Sequence, residues 1–308
     1  MFIVNHKKIF ILISAVLVAV SIGAILMIGL HLGVDFLGGS SISVLYEGKA
    51  PDTTSIVSSL EEAGFQGFIV RETGASGLNI RTSVLSEGDK EKIMSALTVE
   101  GFTEPTIERI SSIGPSVGQE LRRKTVRAIL FVLLTIIAYL AFTFRKISKP
   151  VSSWVYGLIA VIALIHDVII PTGVVAVLGH YRAFDVDTLF VVALLTILGV
   201  SVNDTIVVFD RIRENLRLKE ERHSKESFAQ TVGESLQQTY VRSINTSLTV
   251  IFVLLVLFFL GGPTIHNFIL ILLIGLIAGT YSSICLASPL LVVWGERKIK
   301  KLETQKVR

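Results

Sequence analysis

The chain has 308 residues, 51% of them hydrophobic, with a mean hydropathy of +0.68, an average that soluble domains rarely reach. One Cys and three Met leave no disulfide framework and no Cys-based zinc site. The net charge of +4 is too mild, and too scattered, for a nucleic-acid partner, so the composition points to a membrane protein.

A helix rising 1.5 Å per residue needs about 20 apolar residues to cross the hydrocarbon core. Ile9–Leu30 is uncharged and follows Lys7 and Lys8. It exceeds the ~7–15-residue apolar core of a signal peptide and is expected as an uncleaved first span. The second span is expected from about Ala128 to Phe144, stopping at RKISKP (145–150). The third runs from about Ser153 to Leu178 and the fourth from about Leu189 to Phe209. Between Arg242 and Glu296 lie 53 residues with no acidic or basic side chain other than His266, and GGPTIHN (261–267) divides them into a fifth and a sixth span. Cys285 is read as a small packing residue. Lys and Arg gather at the amino end, in 145–150, in 210–243 and beyond Glu296, whereas 179–187 has only Arg182 and 261–267 has none. By the positive-inside rule both termini are expected to be cytoplasmic. The charged stretch 210–243 is expected to be helical, lying on the membrane surface or binding a partner.

Residues 31–123 then form one external domain, between a membrane-anchored segment 1–30 and the spans of 124–295, with a basic tail at 296–308. SISVLYEG (41–48) alternates like a strand, and 51–65 has apolar Ile56, Val57, Leu60 and Ala63 at helical spacing. FIVRETG (68–74) and LNIRTSVL (78–85) read as a hairpin around Ala75–Ser76–Gly77. A second helix is expected in 86–101 behind a Ser86 cap, and PTIERISSI (105–113) returns to strand character. The order β-α-β-β-α-β is that of a ferredoxin-like α+β unit. No Ser/His/Asp or Cys/His set accompanies it, so it reads as a binding or spacing module.

Ionisable groups inside spans are functional hypotheses by default, because each costs about 2.5–3.5 kcal/mol at a helix centre on insertion scales. Asp204, beside Asn203 in GVSVNDTIVVFDRIREN (199–215), lies near the cytoplasmic end of the fourth span. Arg242, with Ser243 and Asn245, opens the fifth at a similar depth. A facing Asp204–Arg242 pair either fixes helix register or couples helix movement to proton uptake. His166 and Asp167 sit mid-span in ALIHDVIIPTG (163–173). Adjacent helical residues diverge by about 100°, so they are expected to face different surfaces, as a relay or as a structural hydrogen bond. No pair of His at helical spacing suggests a metal. Pro171 is expected to kink the span. In VDFLGGS (34–40), Gly38 and Gly39 permit a sharp turn and Asp35 can cap nearby amides. Gly275–Gly279 make a GxxxG spacing for close helix contact.

Through VDFLGGS, ALIHDV (163–168), GVSVNDTIVVFDRIREN and RSINTSLT (242–249), nearly the whole chain resembles the SecF side of the SecD/SecF family of protein-export membrane proteins. The resemblance implies membership of the resistance-nodulation-division superfamily and a SecD partner in the cytoplasmic (inner) membrane. It implies a role, without enzymatic activity or cofactor, in drawing preproteins from the SecYEG channel after SecA-driven insertion, at the expense of the proton-motive force. Asp204 would then carry protons with Arg242 as charge partner, and His166, Asp167, Asn203 and Asn245 would be secondary members of a polar seam. Rival readings are half of a proton-coupled lipid or small-molecule exporter, a scaffold that stabilises the translocon, and an intramembrane hydrolase, the last lacking a nucleophile or metal set.

Overall fold

In the computed structural model, described for residues 1–73, 76–99, 101–143, 151–181, 184–224 and 226–306, a short helix α1 (Phe2–Asn5) leads into α2 (Lys7–Ile28). Helix α2 is inside out by aqueous standards. Ser14 and Ser21 are its buried positions, while Leu12, Val16, Leu17 and Val20 are exposed. That arrangement suits a helix surrounded by hydrocarbon, where apolar side chains need no protein cover. Ser21 packs so closely on Gly173 that a Cβ there would stand 2.5 Å from the serine Cβ.

A single turn α3 (Val34–Leu37) and strand β1 (Gly39–Leu45) follow, joined through Gly38 and Gly39 at φ 80° and 117°. A side chain at Gly38 would also meet Pro115 Cα at 2.7 Å, so this turn requires glycine on two counts. Next come α4 (Thr53–Glu62), β2 (Ile69–Thr73), β3 (Gly77–Thr82), α5 (Glu87–Leu97) and β4 (Thr106–Ile113), close to the expected positions. Ala75 of the expected hairpin lies outside the described residues. The sheet order is β2-β3-β1-β4 with every neighbouring pair antiparallel. Ile42, Val44, Leu78 and Ile80 point to one face and are sealed by Ile56 and Leu60 of α4 and Ile93 and Leu97 of α5. Ser86 caps α5, and its amide donates to Asp89 Oδ2 at 3.0 Å.

The opposite sheet face carries Arg71, Arg81 and Arg109 and rests on the joint between two long helices, α7 (Ser153–Tyr181) and α8 (Thr188–Glu221). Arg81 lies 3.3 Å from Asp185 and donates to Leu32 O at 2.9 Å. Arg71 lies 3.6 Å from Asp185, and Arg109 3.7 Å from Asp187. The chain after α2 bridges the same joint, since Val186 N donates to His31 O and Gly33 N to Val186 O, both at 2.7 Å. Asp35 accepts from Thr188 N at 2.9 Å and Asp187 from Phe190 N at 2.9 Å, so two aspartates cap the start of α8. Burial pushes the Asp185 carboxyl up against the pull of Arg81 and Arg71. Burial and the arginines hold His31 below its ordinary 6.5.

Besides α2, α7 and α8, the membrane part contains α6 (Pro115–Thr143), α9 (Phe228–Leu260), α10 (Pro263–Ser282), a π-helical turn at Ser283–Ala287 and α11 (Ser288–Lys306). Five helical stretches among the described residues are long and apolar enough to cross a membrane: Lys7–Ile28, Ser153–Tyr181, Thr188–Glu221, Phe228–Leu260 and Ile265–Ile299. The expected second span, within α6, is not among them. Its charge-free part covers only 128–143, short of the ~20 residues a span needs, and Phe144 and the stop sequence 145–150 lie outside the described residues, as does Arg182. Pro171 does not interrupt α7, which is continuous over 29 residues. The stretch 210–243 is not a separate surface helix: α8 runs on to Glu221 and α9 begins at Phe228. The two extensions pair through Arg211–Gln238 and Asn215–Ser235 hydrogen bonds.

Two predictions follow from these contacts. A Cβ at Gly275 would fall 2.1 Å from Ile197 Cδ1, so Gly275→Val should destabilise the bundle by about 1–3 kcal/mol in thermal unfolding. A His31 pKa held low when folded means that the stability it contributes is complete above 6.5 and is lost as pH falls below that value. The protection factors of the Gly33 and Val186 amides, taken from hydrogen exchange corrected for its intrinsic pH dependence, should therefore fall on acidification from about pH 7.5 to 5.5, and His31→Gln should lessen that change.

Candidate functional site: a polar layer across the bundle

Two apolar clusters fill the bundle. One gathers Tyr156, Ile159, Phe209, Ile212 and Leu291, and the other Phe190, Leu194, Ile197, Ile269 and Leu273. Between them lies a layer of polar side chains from α7, α8, α9, α10 and the π-helical turn. Asp167, the central residue of α7, is fully buried in it. Its Oδ2 accepts from Ser282 Oγ at 2.8 Å and from Ser201 Oγ, and its Oδ1 lies 2.9 Å from His166 Nδ1. In hydrocarbon an unsatisfied polar group costs several kcal/mol, so a carboxylate at this depth requires such partners. Gly279 makes room for them, since a Cβ there would stand 3.1 Å from Ser201 Cβ and 3.6 Å from Asp167 Oδ2. The GxxxG pair is thus the surface on which α10 meets α8, Gly275 against Ile197 and Gly279 against Ser201.

The divergence expected of His166 and Asp167 is not observed. The imidazole is long enough to turn back along the helix surface, where it meets the neighbouring carboxylate and stacks on Tyr281 with centroids 6.1 Å apart. Its Nε2 is buried without a hydrogen-bond partner.

Asp204 stands one turn beyond Ser201 on α8 and lines a cavity of about 10 Å³ with Ser201, Ser247, Gly279 and Thr280. That volume is at the lower limit for a single water molecule. Asp204 Oδ2 is buried and unpartnered. The Ser243 and Ser283 hydroxyls face the Asp204 carboxyl without satisfying Oδ2, and Ser243 Oγ is itself unpartnered. Ser283 Oγ instead pairs with Thr205 Oγ1 at 2.9 Å, and Thr280 Oγ1 donates to Ser247 Oγ at 2.7 Å.

The expected Asp204–Arg242 contact is corrected by the helix geometry. Ser243 is the α9 position turned inward, at 1% exposure, so Arg242, about 100° round the helix, lies on the exposed face. Arg242 is near enough to act electrostatically on Asp204 but makes no ion pair with it. Asn203 and Asn245 are exposed as well. Asp204, Asp167 and His166 therefore come together in the layer, Arg242, Asn203 and Asn245 do not, and Asp35, Gly38 and Gly39 build the turn at the far end of α8. Sequence reasoning missed Ser201, Ser282, Ser283, Ser247 and Thr280. Their trace is a set of small hydroxyl residues within apolar runs, as in TYSSI (280–284). It also missed the Arg71, Arg81 and Arg109 contacts with Asp185 and Asp187.

Apolar outer faces, polar residues turned inward and hydroxyls around a mid-depth carboxylate define a multi-helix membrane protein with one small antiparallel sheet domain. Residues 93–297 match the family described as "Protein export membrane protein SecD/SecF, C-terminal". The chain is 41% identical to the protein translocase subunit SecF of Thermobaculum terrenum, covering 97% of this chain and 96% of that one. It is 35% identical to the protein translocase subunit SecF of Anaerolinea thermophila over 95% and 93% of the two chains. It is also similar to the crystal structure of SecDF, a translocon-associated membrane protein from Thermus thermophilus, with a TM-score of 0.82 and 31% identity. That match covers 95% of this chain but spans only 38% of the SecDF chain. The chain belongs to the SecD/SecF family of protein-export membrane proteins.

Removing the carboxylate at the centre of the layer orphans the Ser201 hydroxyl and His166 Nδ1 and leaves Ser282 Oγ with Gly279 O alone. Asp167→Ala should destabilise the chain by roughly 1–3 kcal/mol in thermal unfolding, and Asp167→Asn, which keeps one acceptor, by less.

Proposed function

We propose that the chain is the SecF-type subunit of a SecD-containing complex that assists protein translocation through a SecYEG channel at a late, extracytoplasmic step, with the proton-motive force as energy source and SecA acting beforehand. It acts in transport and not as an enzyme. In this reading it crosses the cytoplasmic (inner) membrane six times with both termini cytoplasmic, α6 supplying the second span. Residues 31–123 form a ferredoxin-like domain on the outer side, 124–295 hold the remaining spans and 296–308 a cytoplasmic tail. The sheet order and the β-α-β-β-α-β sequence support the ferredoxin-like assignment.

Asp204 is the proton-coupling group of this reading, and the observation that carries it is the buried, unpartnered Oδ2 beside a cavity at the limit of one water. Asp167, with both oxygens engaged, anchors the layer, and His166 positions it. Arg242, Asn203 and Asn245, on exposed helix faces, would meet the SecD half. One elementary charge crossing 100 mV releases about 2.3 kcal/mol. A few protons per cycle thus suffice for a two-state change requiring about 5.5 kcal/mol.

The test is a pulse-chase of secreted-protein release in cells whose only copy carries Asp204→Asn, with co-purification of SecD as a measure of assembly. Release should slow about tenfold or more while the complex stays intact. Normal release at normal complex levels would reduce Asp204 to a structural group and leave the chain a scaffold.

A further inference from the structure

Helix α6 leaves the sheet domain at Pro115 and carries Arg122, Arg123, Lys124 and Arg127 immediately before its charge-free stretch. Only Lys124 has a carboxylate partner among the described residues, Glu120 at 2.8 Å, and the three arginines are exposed without one. Gln119, Arg122, Arg123, Val126 and Arg127 line a groove of about 550 Å³. Their i, i+3, i+4, i+7, i+8 spacing makes them one stripe of the helix. The same stripe continues into Leu130 and Leu134, both exposed, so a line of guanidinium groups passes directly into a line of bare apolar side chains. With α6 as the second span proposed above, on which this inference rests, these cations sit at the membrane boundary on the side of the sheet domain.

From this juxtaposition we infer that the α6 stripe is a binding site for an anionic phospholipid, its phosphate held by Arg122, Arg123 and Arg127 and its acyl chain laid along Val126, Leu130 and Leu134. Guanidinium forks match phosphate oxygens in pairs, which an ammonium cannot do. A soluble phosphate would use the arginines but not the apolar continuation, and that continuation commits the site to a lipid. At the boundary between headgroup and hydrocarbon, both halves of the stripe meet their complement in one molecule. Each basic residue near an anionic lipid surface contributes about fivefold in affinity. The inference is independent of the proton-coupling reading.

The test uses the full chain, purified in detergent and stripped of lipid, then incubated with equal amounts of dioleoylphosphatidylglycerol and dioleoylphosphatidylcholine. Lipid retained is counted by native mass spectrometry. The wild type should retain phosphatidylglycerol about tenfold or more over phosphatidylcholine, and R122Q/R123Q/R127Q should fall to near parity. R122K/R123K/R127K, which keeps the charge but loses the paired donors, should show a preference between the two, which separates loss of the site from loss of the fold. Millimolar glycerol 3-phosphate should not displace the lipid. Parity in the wild type would overturn the inference and leave the stripe to an acidic protein surface. An unchanged preference in the glutamine variant, or full displacement by glycerol 3-phosphate, would overturn it too.

Discussion

A carboxylate held at mid-depth in an apolar bundle sets the terms for the rest of this structure. Asp167 is tolerated because His166 of α7, Ser201 of α8 and Ser282 of α10 present hydrogen-bonding side chains to it at one level, and because Gly279 brings α10 close enough for Ser201 and Ser282 to reach the same oxygen. The apolar clusters above and below exclude water and so make each of these bonds matter more. A side chain added at Gly275 would act on this layer through helix spacing, by way of Ile197, whereas one at Gly279 would also touch Asp167.

Helix α8 connects the layer to the sheet domain. Its first turn is capped by Asp35 and Asp187, and Asp187 also faces Arg109 of β4. Two turns and more along the same helix stand Ser201 and Asp204. The joint and the layer are thus held on one continuous helix, Thr188–Glu221. The joint combines ion pairs and two backbone hydrogen bonds on the polar sheet face with buried Phe36, Phe184 and Val186.

Much of this was legible in the sequence. Alternation in SISVL and helical spacing of Ile56 and Leu60 predict the strands and helices of the domain, and the sharp turn expected at Gly38 and Gly39 has positive φ at both residues. Asp204 and the His166–Asp167 pair stood out because a charge within an apolar run is costly. Facing directions did not follow from depth. Arg242 and Ser243 are neighbours in sequence, yet only the serine turns inward, and helix rotation decides that. The hydroxyl partners were hidden for a related reason: serine and threonine are inexpensive in membrane helices, and their importance comes from what stands opposite. The Arg81–Asp185 contact joins residues 104 apart and needed the fold to bring them together.

In the function proposed above the two carboxyls of the layer differ: Asp204 exchanges a proton and Asp167 does not. Infrared difference spectroscopy of the vesicle-reconstituted chain after a pH jump tests it directly, with Asp204→Asn and Asp167→Asn as references. A protonated-carboxyl C=O band should be present that Asp204→Asn abolishes and Asp167→Asn leaves in place. A band that survives Asp204→Asn, or one that vanishes only with Asp167→Asn, would contradict it.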